Sequence, residues 1–92
     1  MPEIFVRTIW PDGTNMRCYS PSLVIEEFLT AGQSYPVADF VSRSREALTI
    51  GSDRVKAKYG YGCGHAMVQL EAIESKAAEC AEGLVTIDGF DR

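Results

Sequence analysis

Residues 2–20, PEIFVRTIWPDGTNMRCYS, decide the fold, because their pattern specifies a β-hairpin and its pairing register. β-Branched and aromatic residues crowd both arms, and Pro11-Asp12-Gly13 supplies the turn. Proline presets φ, aspartate bonds back to nearby amides, and glycine accepts the positive φ that closes a bulged turn. If Trp10 faces Thr14, then Thr8 faces Met16, Arg7 faces Arg17 and Val6 faces Cys18. That register gathers Ile4, Val6, Trp10, Met16 and Cys18 on one face, as burial requires. A tighter Asp12-Gly13 loop would set Asn15 and Arg17 among those apolar residues, so the first register is preferred. It leaves Arg7 opposite Arg17 on the outer face, a like-charge pair that requires a carboxylate neighbour.

A lone hairpin is only marginally stable in water, so it needs further strands or helices to cover it. At the other end of the chain, LVTIDGF (84–90) alternates as a short strand with a bend at Asp88-Gly89. It is expected to join the hairpin as a third strand, where Asp88 could relieve the arginine pair. Between these ends the spacing predicts helices. SPSLVIEEFLTAG (20–32) has Ser20 to cap it, Pro21 in its first turn and Gly32 to stop it. Its expected buried face is Leu23, Val24, Phe28 and Ala31. SYPVADFVSRSREAL (34–48) should open a second helix, with Pro36 and Asp39 early in it. Thr49-Ile50-Gly51-Ser52 reads as a break, after which Ser52 caps a short helix closed by Gly60. The longest helix runs from about Gly64 to Ala81, burying Ala66, Leu70, Ile73, Ala77 and Cys80, with Met67 beside them. The expected architecture is therefore a single two-layer α+β domain, β-β-α-α-α-α-β, with three to four helices on one sheet face. The alternative is a helical bundle whose last strand is frayed or pairs with another subunit, and a homo-oligomer stays open.

Composition bounds the function. Ninety-two residues make one domain with a modest core. No apolar run is long enough to span a bilayer, and MPEIFVRT has neither the basic nor the apolar region of a secretory signal, so a cytoplasmic protein is expected. Cys18, Cys63 and Cys80 are odd in number and scattered, which suits reduced thiols. A net charge of −4 argues against nucleic acid as a partner. The charge is uneven, however. Residues 43–58 carry Arg43, Arg45, Arg54, Lys56 and Lys58 against Glu46 and Asp53, a balance of +3 that leaves −7 for the rest. Such a stretch is either a solvated helix surface or a docking patch for an acidic partner.

YGYGCGHAM (59–67) holds the only histidine. Cys63, at the start of a helix, could have its thiol activated by the dipole, and His65 could assist it. These two are the only candidates for catalysis. Against metal stands the helix rise: Cys63 and Cys80, 17 residues apart, would lie about 25 Å from one another on that helix. No C-x-x-C or H-x-x-x-H pair exists, so neither a structural metal nor any other cofactor is implied. The plainer reading is a glycine-softened corner between helices. Trp10, at the hairpin mouth, and Tyr19, at its base, are the aromatics expected to be partly exposed, and with the five basic residues they form the candidate interaction set.

The combination of W-P-D-G, C-Y-S-P-S and Y-P-x-A-D-F-V resembles a narrow family of small bacterial nitrogen-starvation response proteins. The resemblance spans roughly residues 4–80. It rests on Trp10, Pro11, Asp12, Gly13, Cys18, Tyr19, Ser20, Pro21, Ser22, Tyr35, Pro36, Asp39, Phe40, Tyr59, Gly60 and Cys63. It implies a gene beside a nitrilase, in clusters that scavenge nitrogen from nitriles or cyanide, and it brings no catalytic role for any residue. The family carries a basic residue where this chain has His65, so no shared Cys63–His65 site is implied. The expected function is a non-enzymatic accessory or regulatory protein that docks onto an enzyme of such a cluster. The alternative is a thiol-dependent enzyme, or a cyanide- or nitrile-handling protein, that uses Cys63.

Overall fold

The computed structural model describes residues 3–60, 64–80 and 82–92. The hairpin forms in the expected register. Strand β1 (Ile4–Ile9) pairs antiparallel with β2 (Asn15–Ser20), matching Val6 to Cys18, Arg7 to Arg17 and Thr8 to Met16. Trp10 N–H donates to Thr14 O at 2.9 Å, and Gly13 closes the turn at φ +86°. Ile4, Val6, Trp10 and Cys18 are buried, with Met16 packed beside them.

The chain continues through the helical turn α1 (Ile25–Phe28), the short strand β3 (Ser34–Pro36), the helices α2 (Val37–Tyr59) and α3 (Gly64–Glu79), and strand β4 (Leu84–Asp91). The four strands make one antiparallel sheet in the order β2-β1-β4-β3. The last strand does join the hairpin, and it occupies an interior position. Between Arg7 and Thr8 the register shifts. Arg7 faces Gly89 and Thr8 faces Ile87, which leaves Asp88 as the extra residue of a bulge. That bulge is the bend expected at Asp88-Gly89.

Three expectations are corrected. The first concerns SPSLVIEEFLTAG, which is helical only over Ile25–Phe28. Ser20 stays in β2, and its Oγ donates to Ser22 O at 2.8 Å. Ser22 Oγ accepts the Val24 N–H at 3.3 Å. Such local side-chain bonds offer the backbone an alternative to helix, and here they hold it in turns. The buried face is Val24, Ile25 and Leu29, whereas Ala31 is exposed.

The second correction is that α2 runs unbroken through Gly51 for 23 residues. That is about 35 Å at 1.5 Å per residue, nearly the 38 Å long dimension of the molecule. Glycine inside a helix costs roughly 1 kcal/mol relative to alanine. Burial explains its presence: a Cβ on Gly51 would meet Pro21 Cγ at 3.0 Å. Gly51 lets the turn after β2 lie against the helix, and there is one helix where two were expected.

Third, Ser34–Pro36 is a strand and α2 begins at Val37. What draws Ser34–Pro36 into the sheet is distant in sequence: Ser34 pairs with Thr86 and Tyr35 with Val85. Among the described residues the expected three to four helices are thus three, and the element order is β-β-α-β-α-α-β.

The core lies between the sheet's inner face and the helices. Val6, Val85 and Ile87 meet Phe40 and Leu48 of α2 and Ile73 of α3 in one buried cluster. Trp10 is set edge-on to Phe40, with ring centroids 5.4 Å apart. Of the expected α3 stripe, Ala66, Ile73 and Cys80 are buried and Leu70 and Ala77 pack against the cluster, whereas Met67, expected beside them, is exposed.

Candidate interaction surfaces

Trp10 is only 2% exposed, as the hairpin register requires, which removes it from the candidate interaction set. A buried indole needs a partner for its N–H. Trp10 Nε1 donates to Thr8 Oγ1 at 3.0 Å, and Thr8 Oγ1 in turn donates to Met16 O at 2.8 Å. The rest of the turn is fastened as well. Pro11 packs so closely on Gly83, at φ +109°, that a Cβ there would come within 2.8 Å of the proline ring. Asp12 accepts from Thr14 N–H and Oγ1–H, and its other oxygen pairs with Lys76 Nζ of α3 at 2.7 Å. These bonds hold the Asp12 carboxyl well below the usual range, with Lys76 the main cause.

The described thiols are equally absorbed. Cys18 is buried on the inner sheet face, and desolvation pushes its pKa up to about 12. Cys80 is 8% exposed, and burial, then the Asp12 carboxylate, push its thiol up too. A thiol held protonated is a poor nucleophile. Cys63 lies outside the described residues. His65 is exposed on the first turn of α3, with its ring 5.9 Å from that of Tyr19. Tyr19 is half-buried, edge-on to Phe5, and its backbone N–H donates to Gln69 Oε1 at 2.9 Å.

The basic residues of 43–58 divide into two groups. Arg43 is a clamp: Nε meets Asp39 at 2.8 Å, Nη1 donates to Phe28 O at 2.8 Å, and the guanidinium lies over Tyr35. Arg45 bridges α2 to Glu74 of α3 at 2.8 Å. Arg54 donates to Ser22 Oγ at 3.1 Å. These three hold elements together. Lys56 and Lys58, on the last turn of α2, are exposed and have no carboxylate partner among the described residues. Lys58 Nζ lies 5.5 Å from the Tyr59 ring, itself 50% exposed. At the start of α3, Met67 and Val68 are exposed at 41% and 67%. Cations and large apolar side chains thus share the ends of α2 and α3 that adjoin in the chain. The exposure of Met67 and Val68 has no signature in the sequence, where Met67 reads as a neighbour of the buried stripe.

The sheet's outer face is a second surface. Arg7 pairs with Asp88 at 3.2 Å and with Asp91, and Arg17 meets Asp91 at 3.6 Å. Asp88 does relieve the arginine pair, and Asp91 joins it without any prior signal. Around Arg7, Ile9, Met16, Arg17 and Asp88 lies a depression of about 300 Å³.

A family model described as "Nitrogen starvation-induced protein NitG" matches residues 5–90, and the chain belongs to this family. The match extends past residue 80, where the resemblance ended, to include β4. Comparison with curated proteins and with solved structures found no match.

Proposed function

We propose that this member of the nitrogen starvation-induced family is a non-enzymatic accessory protein that docks onto an acidic surface of a partner protein. The observation that carries this reading is that Lys56 and Lys58, without a carboxylate partner among the described residues, stand with exposed Tyr59 on the last turn of α2, while exposed Met67 and Val68 stand at the start of the helix that follows. Interfaces combine a desolvated apolar centre with charges that steer and orient the encounter. The other basic residues of that stretch are committed within the fold. The partner is an enzyme of nitrile or cyanide nitrogen scavenging, a nitrilase first, following the gene context that the motif resemblance implies.

The test is direct binding between the purified chain and the nitrilase from the same source, at low and at high salt. Association is expected to weaken with salt, as exposed charges are screened over about 8–10 Å. Lys56→Glu with Lys58→Glu should weaken it about tenfold or more. Failure to associate, together with nitrile turnover unchanged in cells lacking this protein, would refute the proposal.

A further inference from the structure

The two arginines that face each other on the outer side of the sheet are held in different ways. Arg7 is fully engaged. Its guanidinium lies against Gly89 and donates to Asp88 at 3.2 Å and to Asp91. Among the described residues the one acid near Arg17 is Asp91, and its carboxylate stands 3.6 Å from Nε. That distance makes an ion pair but not a hydrogen bond. What positions Arg17 is the Phe5 ring, whose centre lies 3.9 Å from the guanidinium carbon. The five N–H donors of its guanidinium therefore have no hydrogen-bond acceptor among the described residues.

Asn15 stands two residues before Arg17 on the same face of β2, roughly 7 Å away. Its side-chain amide has no hydrogen-bond partner among the described residues either. Both side chains line the depression of about 300 Å³, together with Arg7, Ile9 and Asp88. β2 is an edge strand, so no further strand flanks them.

We infer that this depression is a binding site for a small organic carboxylate. The planar fork of a guanidinium meets a carboxylate through two parallel hydrogen bonds, and the Asn15 amide can donate a third. Ile9, 38% exposed, supplies an apolar wall for the body of the ligand. The charged lining is two arginines against one aspartate, a balance of +1, which suits a monoanion. Asp88 on the β4 side opposes anions of higher charge. The volume is at the lower end of ligand pockets, about 300–1,000 Å³, which fits a single ring or a short chain. One free guanidinium in an open depression binds weakly, with a dissociation constant of about 1 mM. The site shares no residue with the partner surface proposed above and does not depend on it.

Two-dimensional amide NMR of the full chain, titrated with sodium benzoate at constant ionic strength, tests this. Benzamide and inorganic phosphate are the comparison probes, and the dispersion of each spectrum shows that a variant is folded. Benzoate should give saturable shifts centred on Ile9, Asn15 and Arg17. Benzamide keeps the ring without the charge, and phosphate has charge without an apolar body. Each should bind about tenfold more weakly than benzoate, or worse. Arg17→Gln should raise the dissociation constant for benzoate about tenfold or more, and so should Asn15→Asp, which sets a like charge beside the ligand. Arg17→Lys keeps the charge but loses the fork, and should recover only part of the affinity. Lys56→Glu with Lys58→Glu should change nothing, which separates this site from the partner surface. Shifts that never saturate or that scatter over the surface overturn the inference. So does benzamide or phosphate binding as well as benzoate, or a site indifferent to Arg17→Gln and Asn15→Asp.

Discussion

Two glycine-bearing stretches of the chain have opposite fates. Trp10–Thr14 is bolted down: its indole is in the core, its proline on Gly83, its aspartate on Lys76. The chain around Lys56–Tyr59 and His65–Val68 leaves cations and apolar side chains exposed. The motif W-P-D-G stands out in the sequence, yet each of its residues has a structural task. Lys56, Lys58, Met67 and Val68 are ordinary to read, and their side chains are among those the fold leaves exposed. Distinctive residues mark the places where remote parts of the chain must be joined. The surface open to a partner is made of what remains.

Truncation should separate the two regions most widely. Trp10→Ala removes a buried ring together with its bond to Thr8, and by analogy with other core truncations it should cost about 3–5 kcal/mol. Tyr59→Ala, at an aromatic that is half exposed, should change stability by no more than about 0.5 kcal/mol. Urea unfolding of the two variants checks the contrast; similar losses would mean that the second region is also structural. Next in size is Gly83→Ala. It forces a Cβ against Pro11 at a positive φ, and about 1–3 kcal/mol of strain is expected. Gly60→Ala, with the same sign of φ but open space around the Cβ, should lose less.

A smaller effect of opposite sign is expected within α2. Among the described residues, Ser44 Oγ is the buried side-chain atom that lacks a hydrogen-bond partner. Leaving a hydroxyl unsatisfied costs about 1–3 kcal/mol, and alanine is also the better helix former. Ser44→Ala should therefore raise the unfolding midpoint, by about 1 kcal/mol in free energy after the lost packing of the oxygen. Thermal or urea unfolding measures it directly.

How much could be read in advance follows the same division. The hairpin register was legible because side-chain parity allows only one pairing that buries Val6, Trp10 and Cys18 together. Asp88 as the relief of Arg7 and Arg17 followed from that register. The continuity of α2 was not legible, because Gly51 looks like a breaker and its reason, Pro21, arrives from another part of the chain. Strand β3 was hidden for a like cause: three residues with proline among them acquire their state from β4. In the candidate sites, Lys56 and Lys58 kept the exposure their sequence gave reason to expect. Arg43, Arg45 and Arg54 look the same in sequence but are engaged by Asp39, Glu74 and Ser22. A charge run does not say which of its members a fold will use.

The last difference between the two regions is set by pH. The Asp12 carboxyl is held below its ordinary range by Lys76 and Thr14, whereas the partner region offers lysines without a carboxylate. A depressed folded pKa means that the unfolded chain binds the proton more readily. The stabilisation from Asp12 is therefore fully present above the unfolded value near 3.9 and is lost as pH falls through the folded one. Lys76 has the opposite sense. Its pKa is raised by Asp12, so its share persists through neutral pH and fades only when pH climbs past the ordinary lysine range. Asp12→Asn keeps an acceptor for Thr14 but removes the charge that Lys76 meets. The stability gap between wild type and this variant should be flat from about pH 5 to pH 8, then narrow progressively below about pH 4. Because the Asp12 carboxyl is exposed and solvent screens the pair, the gap should be the smallest of the effects foreseen here. Urea midpoints of the two proteins across that range give the answer. A gap that stays constant into acid would show that the charge on Asp12 stabilises the fold neither through Lys76 nor through Thr14.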